Sequence, residues 1–298
     1  FHLLVTSVNK NGVWKKVFKS KSVVKLGEGA IHKNEIAPIP FRRGIKALEH
    51  YKKIIDIHMP EKVFAFATSA IRGATNGHDF VAMAKEKTGI EITVISGEKE
   101  AELIYLGVRQ CISLNDQPVL IMDIGGGSTE FIIADKDKIF WKHSFNIGAA
   151  RLLEMFRPSD PILPAEISSI ETFLSNELAI MVDAVEKFKP EHLIGSSGSF
   201  DTFAEMIGYE FYNRNVISDK NSYSFKIDEY LKLHEKILYS TAMQRNLMKG
   251  LVKMRIDMIV MATICTSMVL NKTGIKKMTL SKYALKEGAL SMVISGKA

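Results

Sequence analysis

Ten residues gather oxygen ligands, glycines and hydroxyls in one place: Ile121-Met-Asp123-Ile-Gly125-Gly126-Gly127-Ser128-Thr129-Glu130. The apolar run from Val119 to Met122 ahead of them reads as a buried strand. Glycines let a backbone approach a ligand closely and turn successive amides inward, which makes an anion cradle. Asp123 and Glu130 are hard oxygen donors suited to Mg²⁺, an ion that commonly bridges carboxylates and phosphate oxygens. Strand, glycine loop and flanking carboxylates point to phosphoryl chemistry. The plainer reading is a flexible connection or a wide hairpin, because Phe131 to Ala134 reads as a second strand.

Three further stretches carry compatible chemistry. Phe66-Ala-Thr-Ser69-Ala-Ile-Arg72 runs off a strand end into hydroxyls and an arginine, whose planar fork suits phosphate oxygens. Ile95-Ser-Gly-Glu-Lys-Glu100-Ala-Glu102 also leaves a strand and opens a helix. Acidic residues in a first turn complement the helix dipole, which accounts for most of these glutamates. Glu100, one turn in, is placed to orient or deprotonate water. Gly195-Ser-Ser-Gly198-Ser199 repeats the strand-to-glycine theme; it holds another phosphate or caps the helix after it. A His78-Asp79 pair follows Asn76-Gly77 at a helix start and reads as a cap, not as a metal dipeptide.

These residues need elements to hold them. Strands are expected over Phe1 to Val8 and Val13 to Val24, joined at Asn9-Lys-Asn-Gly12, a hairpin signal. A helix over Phe41 to Ile57, a strand at Val63 to Ala67, a helix at Phe80 to Lys87, a strand at Glu91 to Ile95 and a helix at Glu98 to Arg109 follow. The order then restarts. Strands at Val119 to Asp123, Thr129 to Ala134 and Ile139 to Ser144 precede helices at Ala149 to Phe156 and Ile167 to Phe188. A strand at His192 to Gly195, helices near Tyr230 to Leu238, Arg255 to Leu270 and Ala284 to Ile294, and a strand near Lys277 to Leu280 complete the chain. Two rounds of hairpin and alternating helix and strand argue for two similar α/β domains, 1–117 and 118–283. The last helix, about 284–298, is expected to pack back on the first.

With 298 residues, two domains also fit the length. Hydrophobic content of 46% against 24% charged residues is that of an ordinary globular protein, and no apolar run approaches the roughly 18 residues of a membrane span. No secretory pattern opens the chain, and Cys111 and Cys265 form no ligand-spaced pair. A cytoplasmic protein is the default. The net charge of +7 favours anionic partners. No zinc-finger spacing, helix-turn-helix signal or aromatic-basic stacking pattern marks a specific nucleic-acid reader.

Taken together, the motifs resemble the exopolyphosphatase and guanosine pentaphosphate phosphohydrolase family of the actin and hexokinase-like superfamily. The resemblance spans essentially the whole chain. It rests chiefly on Ala67 to Arg72, Ile95-Ser-Gly97 with Glu100-Ala101, and Asp123 to Glu130. It implies two ribonuclease H-like domains with a catalytic cleft between them, and Mg²⁺-dependent hydrolysis of phosphoanhydride bonds, other divalent cations being admissible. By the same resemblance Glu100 is the general base and Arg72 clamps the terminal phosphoryl group. Asp123 and Glu130 position the metal. Ser69, Gly125, Gly126, Gly127, Ser128, Thr129, Gly198 and Ser199 hold phosphate.

The implied substrate is inorganic polyphosphate; guanosine penta- or tetraphosphate is the alternative, and a non-catalytic sensor of either is a third. The family admits a homodimer, for which no interface is legible. Its members open with a strand and an Asp-Gly-Ser/Thr-Asn-Ser/Thr phosphate loop ahead of a segment like Phe1 to Val5, so that loop is expected before residue 1. Lys99, where an acidic residue is usual, Lys25 for arginine, Ser199 for threonine and Ala262 for glycine depart from the pattern.

Overall fold

The computed structural model describes residues 1–296. The chain divides into two compact units: Phe1–Lys99 with the segment from Leu290 onward, and Glu100–Ala289.

In the first unit, β1 (His2–Val8) and β2 (Trp14–Lys21) form an antiparallel hairpin. Asn9 Oδ1 closes its turn by accepting the amides of Asn11 and Val13. Helix α1 (Pro38–His58) follows; it begins three residues ahead of the expected start, because proline is tolerated in a first turn whose amides lack helical partners anyway. Then come β3 (Ala65–Ala67), the single turn α2 (Ser69–Arg72), α3 (Gly77–Thr88), β4 (Ile92–Val94) and the start of α4 (Gly97–Cys111). Strands β3 and β4 are parallel, so their C-terminal ends, where Ser69 and Ser96 begin, lie side by side. Val24, Leu26, Ile36, Leu48, Phe80 and Ala84 form the buried core.

The second unit holds a six-stranded sheet. Three antiparallel strands, β5 (Val119–Ile124), β6 (Thr129–Ala134) and β7 (Ile139–Phe145), lead into α5 (Ala149–Phe156), α6 (Pro164–Glu177) and α7 (Ala179–Phe188). Next are β8 (His192–Ser196), α8 (Ser197–Tyr212), β9 (Ser222–Phe225), α9 (Ile227–Leu238) and α10 (Ala242–Leu247). The unit closes with α11 (Met258–Thr273), β10 (Lys277–Ser281) and the first half of α12 (Leu285–Ile294). Strand order is β7-β6-β5-β8-β10-β9, with β5, β8 and β10 parallel. Every residue of β5 and β6 is buried. That requires cover on both faces, which explains runs as apolar as Val119 to Met122 and Phe131 to Ala134. Leu120, Met122, Phe131 and Ile133 enter the main core, while Ile121, Ile132 and Ala134 meet Ala101, Ile104 and Val108 of α4.

That packing moves the domain boundary. It was expected at 117/118, in the connection before β5; the structure draws it at 99/100, because the apolar face of α4 belongs to the second sheet. The C-terminal helix is likewise divided. Its start stays with the second unit, where the Gln110 amide donates to the Glu287 carbonyl at 2.9 Å. The single helix expected over Ile167 to Phe188 breaks at Leu178, a fully buried residue whose apolar pattern runs on through the break. Strand β9 and helix α10 had no expected counterpart.

Candidate active site

The second sheet carries one polar rung. Register pairs Ser144 of β7 with Glu130 of β6, Glu130 with Asp123 of β5, Asp123 with Ser196 of β8, Ser196 with Ser281 of β10, and Ser281 with Ser222 of β9. Register partners face the same side of a sheet, so six polar side chains share one line across it. Apolar residues fill much of the neighbouring rung, Met122, Phe131 and Leu280 among them. Glu130 is 1% exposed and Asp123 7%. The Ser196 hydroxyl donates to Asp123 Oδ2 at 2.6 Å, and the Ser144 hydroxyl to Glu130 Oε1 at 2.7 Å. Neither serine was among the expected site residues. The legible signal was weak: β5, β8 and β10 end an apolar run in Asp-Ile, Gly-Ser and Leu-Ser, yet only pairing shows that these ends coincide.

Between Ile124 and Thr129 the glycine segment is both a hairpin connection and a shaped loop. The Gly125 amide donates across the turn to the Ser128 carbonyl at 3.0 Å. Behind the loop, the Ala149 amide donates to the Gly125 carbonyl, and the amides of Ala150 and Arg151 to the Gly126 carbonyl, each at 3.0 Å. Arg151 Nε donates to the Gly127 carbonyl at 3.0 Å. All three glycine carbonyls are thus tied to the start of α5. The amides of Gly126, Gly127 and Ser128 have no hydrogen-bond partner among the described residues, which leaves three successive donors for an anion.

Two expectations narrow here. The Gly125 amide is engaged within the turn. The Thr129 hydroxyl donates to the Ile147 carbonyl at 3.2 Å, so it too is engaged within the fold. Gly148 permits the close approach of α5: a Cβ there would lie 2.5 Å from the backbone of Gly126 and Gly127.

At the end of β8, Ser197 takes a left-handed conformation with φ of 72°. For a residue with a side chain this costs about 1–3 kcal/mol and clusters at ligand sites. Its hydroxyl lies near enough to Asp123 to oppose the rise that burial imposes on that carboxyl. The following Gly198 lies under Arg255, where a Cβ would fall 1.7 Å from Nη2, and Arg255 Nη1 donates to Thr202 Oγ1 at 2.7 Å. Ser199 is buried in the first turn of α8.

In the first unit, Ser69 and Arg72 sit just beyond β3. The Ser69 hydroxyl is buried without a hydrogen-bond partner, and Arg72 Nη1 donates to the Ile95 carbonyl just past β4 at 3.1 Å. Ser96 Oγ accepts the Lys99 amide at 3.1 Å and caps the helix that carries Glu100. The expected residues therefore fall into two groups, Ser69 with Arg72 in the first unit and the remainder in the second.

The Ppx/GppA phosphatase family model matches residues 4–295. This chain belongs to the Ppx/GppA phosphatase family. Its two α/β units are those of an exopolyphosphatase crystal structure from Cytophaga hutchinsonii, which is 34% identical over 100% of this chain and 95% of that one, with a TM-score of 0.96. A bifunctional 3-dehydroquinate synthase/phosphatase of Fusobacterium nucleatum is 32% identical over 91% of this chain, which spans 42% of that relative's length. Exopolyphosphatase 1 of Mycobacterium tuberculosis is 25% identical over 100% of this chain and 86% of its own.

In this Ppx/GppA protein the carboxylates share one electrostatic problem. Burial raises the Glu130 carboxyl well above its usual range, and the charges of Glu100 and Asp123 raise it further, with the nearby hydroxyls of Ser128 and Ser144 opposing. Burial also raises Asp123, with the hydroxyls of Ser196 and Ser197 and the charge of Lys286 opposing. Two facing carboxylates that resist ionisation alone fit a divalent cation, which would offset both charges. Among the described residues no three His, Cys, Asp or Glu are grouped to hold a metal ion. A cation on Asp123 and Glu130 would complete its shell with water and phosphate oxygens, the usual habit of Mg²⁺. No helix among the described residues is long and apolar enough to cross a membrane.

Proposed function

We propose that this protein is an exopolyphosphatase, hydrolysing the terminal phosphoanhydride bond of inorganic polyphosphate with Mg²⁺ or another divalent cation. The observation that carries this reading is the facing pair of buried carboxylates, Asp123 and Glu130, with the charge of buried Glu100 acting on Glu130, on a unit whose glycine turn offers three unpartnered amides. The names of the relatives from Cytophaga hutchinsonii and Mycobacterium tuberculosis support the substrate class.

The residues divide the work as follows. The amides of Gly126, Gly127 and Ser128 bind oxygens of the terminal phosphoryl group, helped by the turn at Gly198 and Ser199. Ser69 and Arg72 bind phosphate oxygens through a hydroxyl and a guanidinium, and Arg72 offsets charge that develops in the transition state. Glu100 accepts a proton from water as the water oxygen attacks the terminal phosphorus. The bond from that phosphorus to the bridging oxygen breaks, its electron pair stays on the shortened chain, and orthophosphate leaves. Asp123 and Glu130 would hold the cation, which supplies neutralisation of phosphate charge. In such a reaction catalysis is chiefly positioning and electrostatics.

The test is phosphate release from long-chain polyphosphate and from guanosine pentaphosphate, with and without Mg²⁺, by the protein and by Glu100→Gln. The expected result is Mg²⁺-dependent release from polyphosphate, slowed about 10²–10⁴-fold in the variant with binding retained. Release from the nucleotide alone would replace polyphosphate with the alarmone. Binding of both without release from either would leave a sensor.

A further inference from the structure

The positive charge of this chain is unevenly placed. Residues 1–99 hold seventeen lysines and arginines against nine aspartates and glutamates, whereas residues 100–298 hold twenty-three against twenty-four. The first unit therefore carries the whole surplus. Within it, residues 1–27 contain six lysines and no carboxylate side chain. Such asymmetry creates a local field that attracts anions.

The hairpin arranges this charge on one face. Register pairs His2 with Lys21, Leu4 with Lys19 and Thr6 with Lys16, with a shift between Val5 and Thr6 that leaves Val17 as an extra residue on β2. Without that bulge, strand alternation would set Lys16 on the face opposite Lys19 and Lys21. The bulge turns it round, a use bulges commonly have. Lys16, Lys19, Lys21 and His2 are all exposed. The other face carries Leu3, Val5 and Phe18, and Phe18 packs against His58 of α1 with ring centroids 5.2 Å apart and the planes tilted by 40°.

We propose that this outer face of the β1–β2 hairpin docks the part of a polyphosphate chain distant from the bond being cut. The proposal rests on the exopolyphosphatase reading for the identity of its ligand. Lysine ammonium groups are flexible point charges suited to a chain of identical phosphates, and their spacing along one strand makes a strip, not a pocket. Nucleic acid suits the face less well. Single-strand binding surfaces interleave exposed aromatic platforms with their charges; here Trp14 is half-buried and Phe18 faces α1.

The test compares Lys16→Ala/Lys19→Ala/Lys21→Ala with a control of equal charge change in the second unit, Lys232→Ala/Lys272→Ala/Lys276→Ala. Binding of fluorescently labelled long-chain polyphosphate, of single-stranded DNA and of anionic vesicles is measured across a salt series, beside turnover of long-chain polyphosphate and tripolyphosphate. The hairpin variant is expected to bind the long chain about tenfold more weakly, with a shallower salt dependence by about two units of logarithmic slope. Its KM for the long chain rises similarly, its tripolyphosphate kinetics stay unchanged, and the control variant keeps wild-type binding. Equal weakening in both variants, wild-type binding in the hairpin variant, or loss confined to single-stranded DNA or anionic vesicles would overturn the proposal. Because binding is read without turnover, an inactive wild-type protein would sink the exopolyphosphatase reading and still leave the docking strip tested.

Discussion

Burial makes Glu130 hard to ionise, and the charges of Glu100 and Asp123 make it harder. An acid whose folded pKa is raised binds more protons folded than unfolded between the two values. Its contribution to stability is therefore greatest below the unfolded value of about 4.5 and is lost as pH rises towards the folded one. Near neutrality the cluster weakens the fold. Glu130→Gln is expected to raise Tm in the absence of divalent cations, by about 2–4 °C for each kcal/mol relieved, with a larger gain at higher pH. Thermal melts across a pH series check this; a gain that shrinks with pH would contradict the assignment. Mg²⁺ should act in the opposite sense to substitution. It should stabilise the wild-type protein more as pH rises, because metal binding needs ionised carboxylates, and should lose that effect in Asp123→Asn. Melts of both proteins with and without Mg²⁺ read this directly.

At the scale of elements, the glycine loop works because helix α5 holds it from behind. Arg151→Met would leave the buried Gly127 carbonyl without its donor, a loss of about 1–3 kcal/mol. If the loop binds the terminal phosphoryl group, KM should rise more than kcat falls, with Arg151→Lys recovering little because an ammonium lacks the fork. Steady-state kinetics beside melting curves separate this from loss of fold. The sequence showed the loop, its carboxylates and most strands, because those signals are local: an apolar run, three glycines, a hydroxyl pair. It did not show Ser144 or Ser196, whose role exists only through strand register. Nor did it show that Thr129 turns its hydroxyl to the Ile147 carbonyl. The expected boundary near 117 failed for a related reason. Helix α4 has apolar spacing that fits either sheet, and only packing shows that Ala101, Ile104 and Val108 face β5 and β6.

At the scale of the whole molecule, acid should oppose the fold through its histidines even as it relieves the carboxylates. Burial lowers both His192 and His234, with the charge of Lys277 adding to the effect at His192 and that of Glu235 opposing it at His234. Each ring is also held by a threonine hydroxyl, His192 Nε2 by Thr279 at 2.8 Å and His234 Nδ1 by Thr263 at 3.0 Å. A base with a lowered folded pKa stays neutral in the fold after the unfolded chain has taken up its proton. Between the folded value and about 6.5 the unfolded state binds more protons, so stability climbs with pH through that window and levels off above it. The carboxylate slope runs the other way and begins lower, near 4.5. In Glu130→Gln, where one large opposing contribution is gone, Tm should fall more steeply on acidification from about pH 7 to pH 5 than in the wild type. Adding His192→Asn and His234→Asn to that background should flatten the fall, since neither amide titrates. If the slope survives both changes, the acid sensitivity lies in other groups and these two histidines are not what ties the fold to pH.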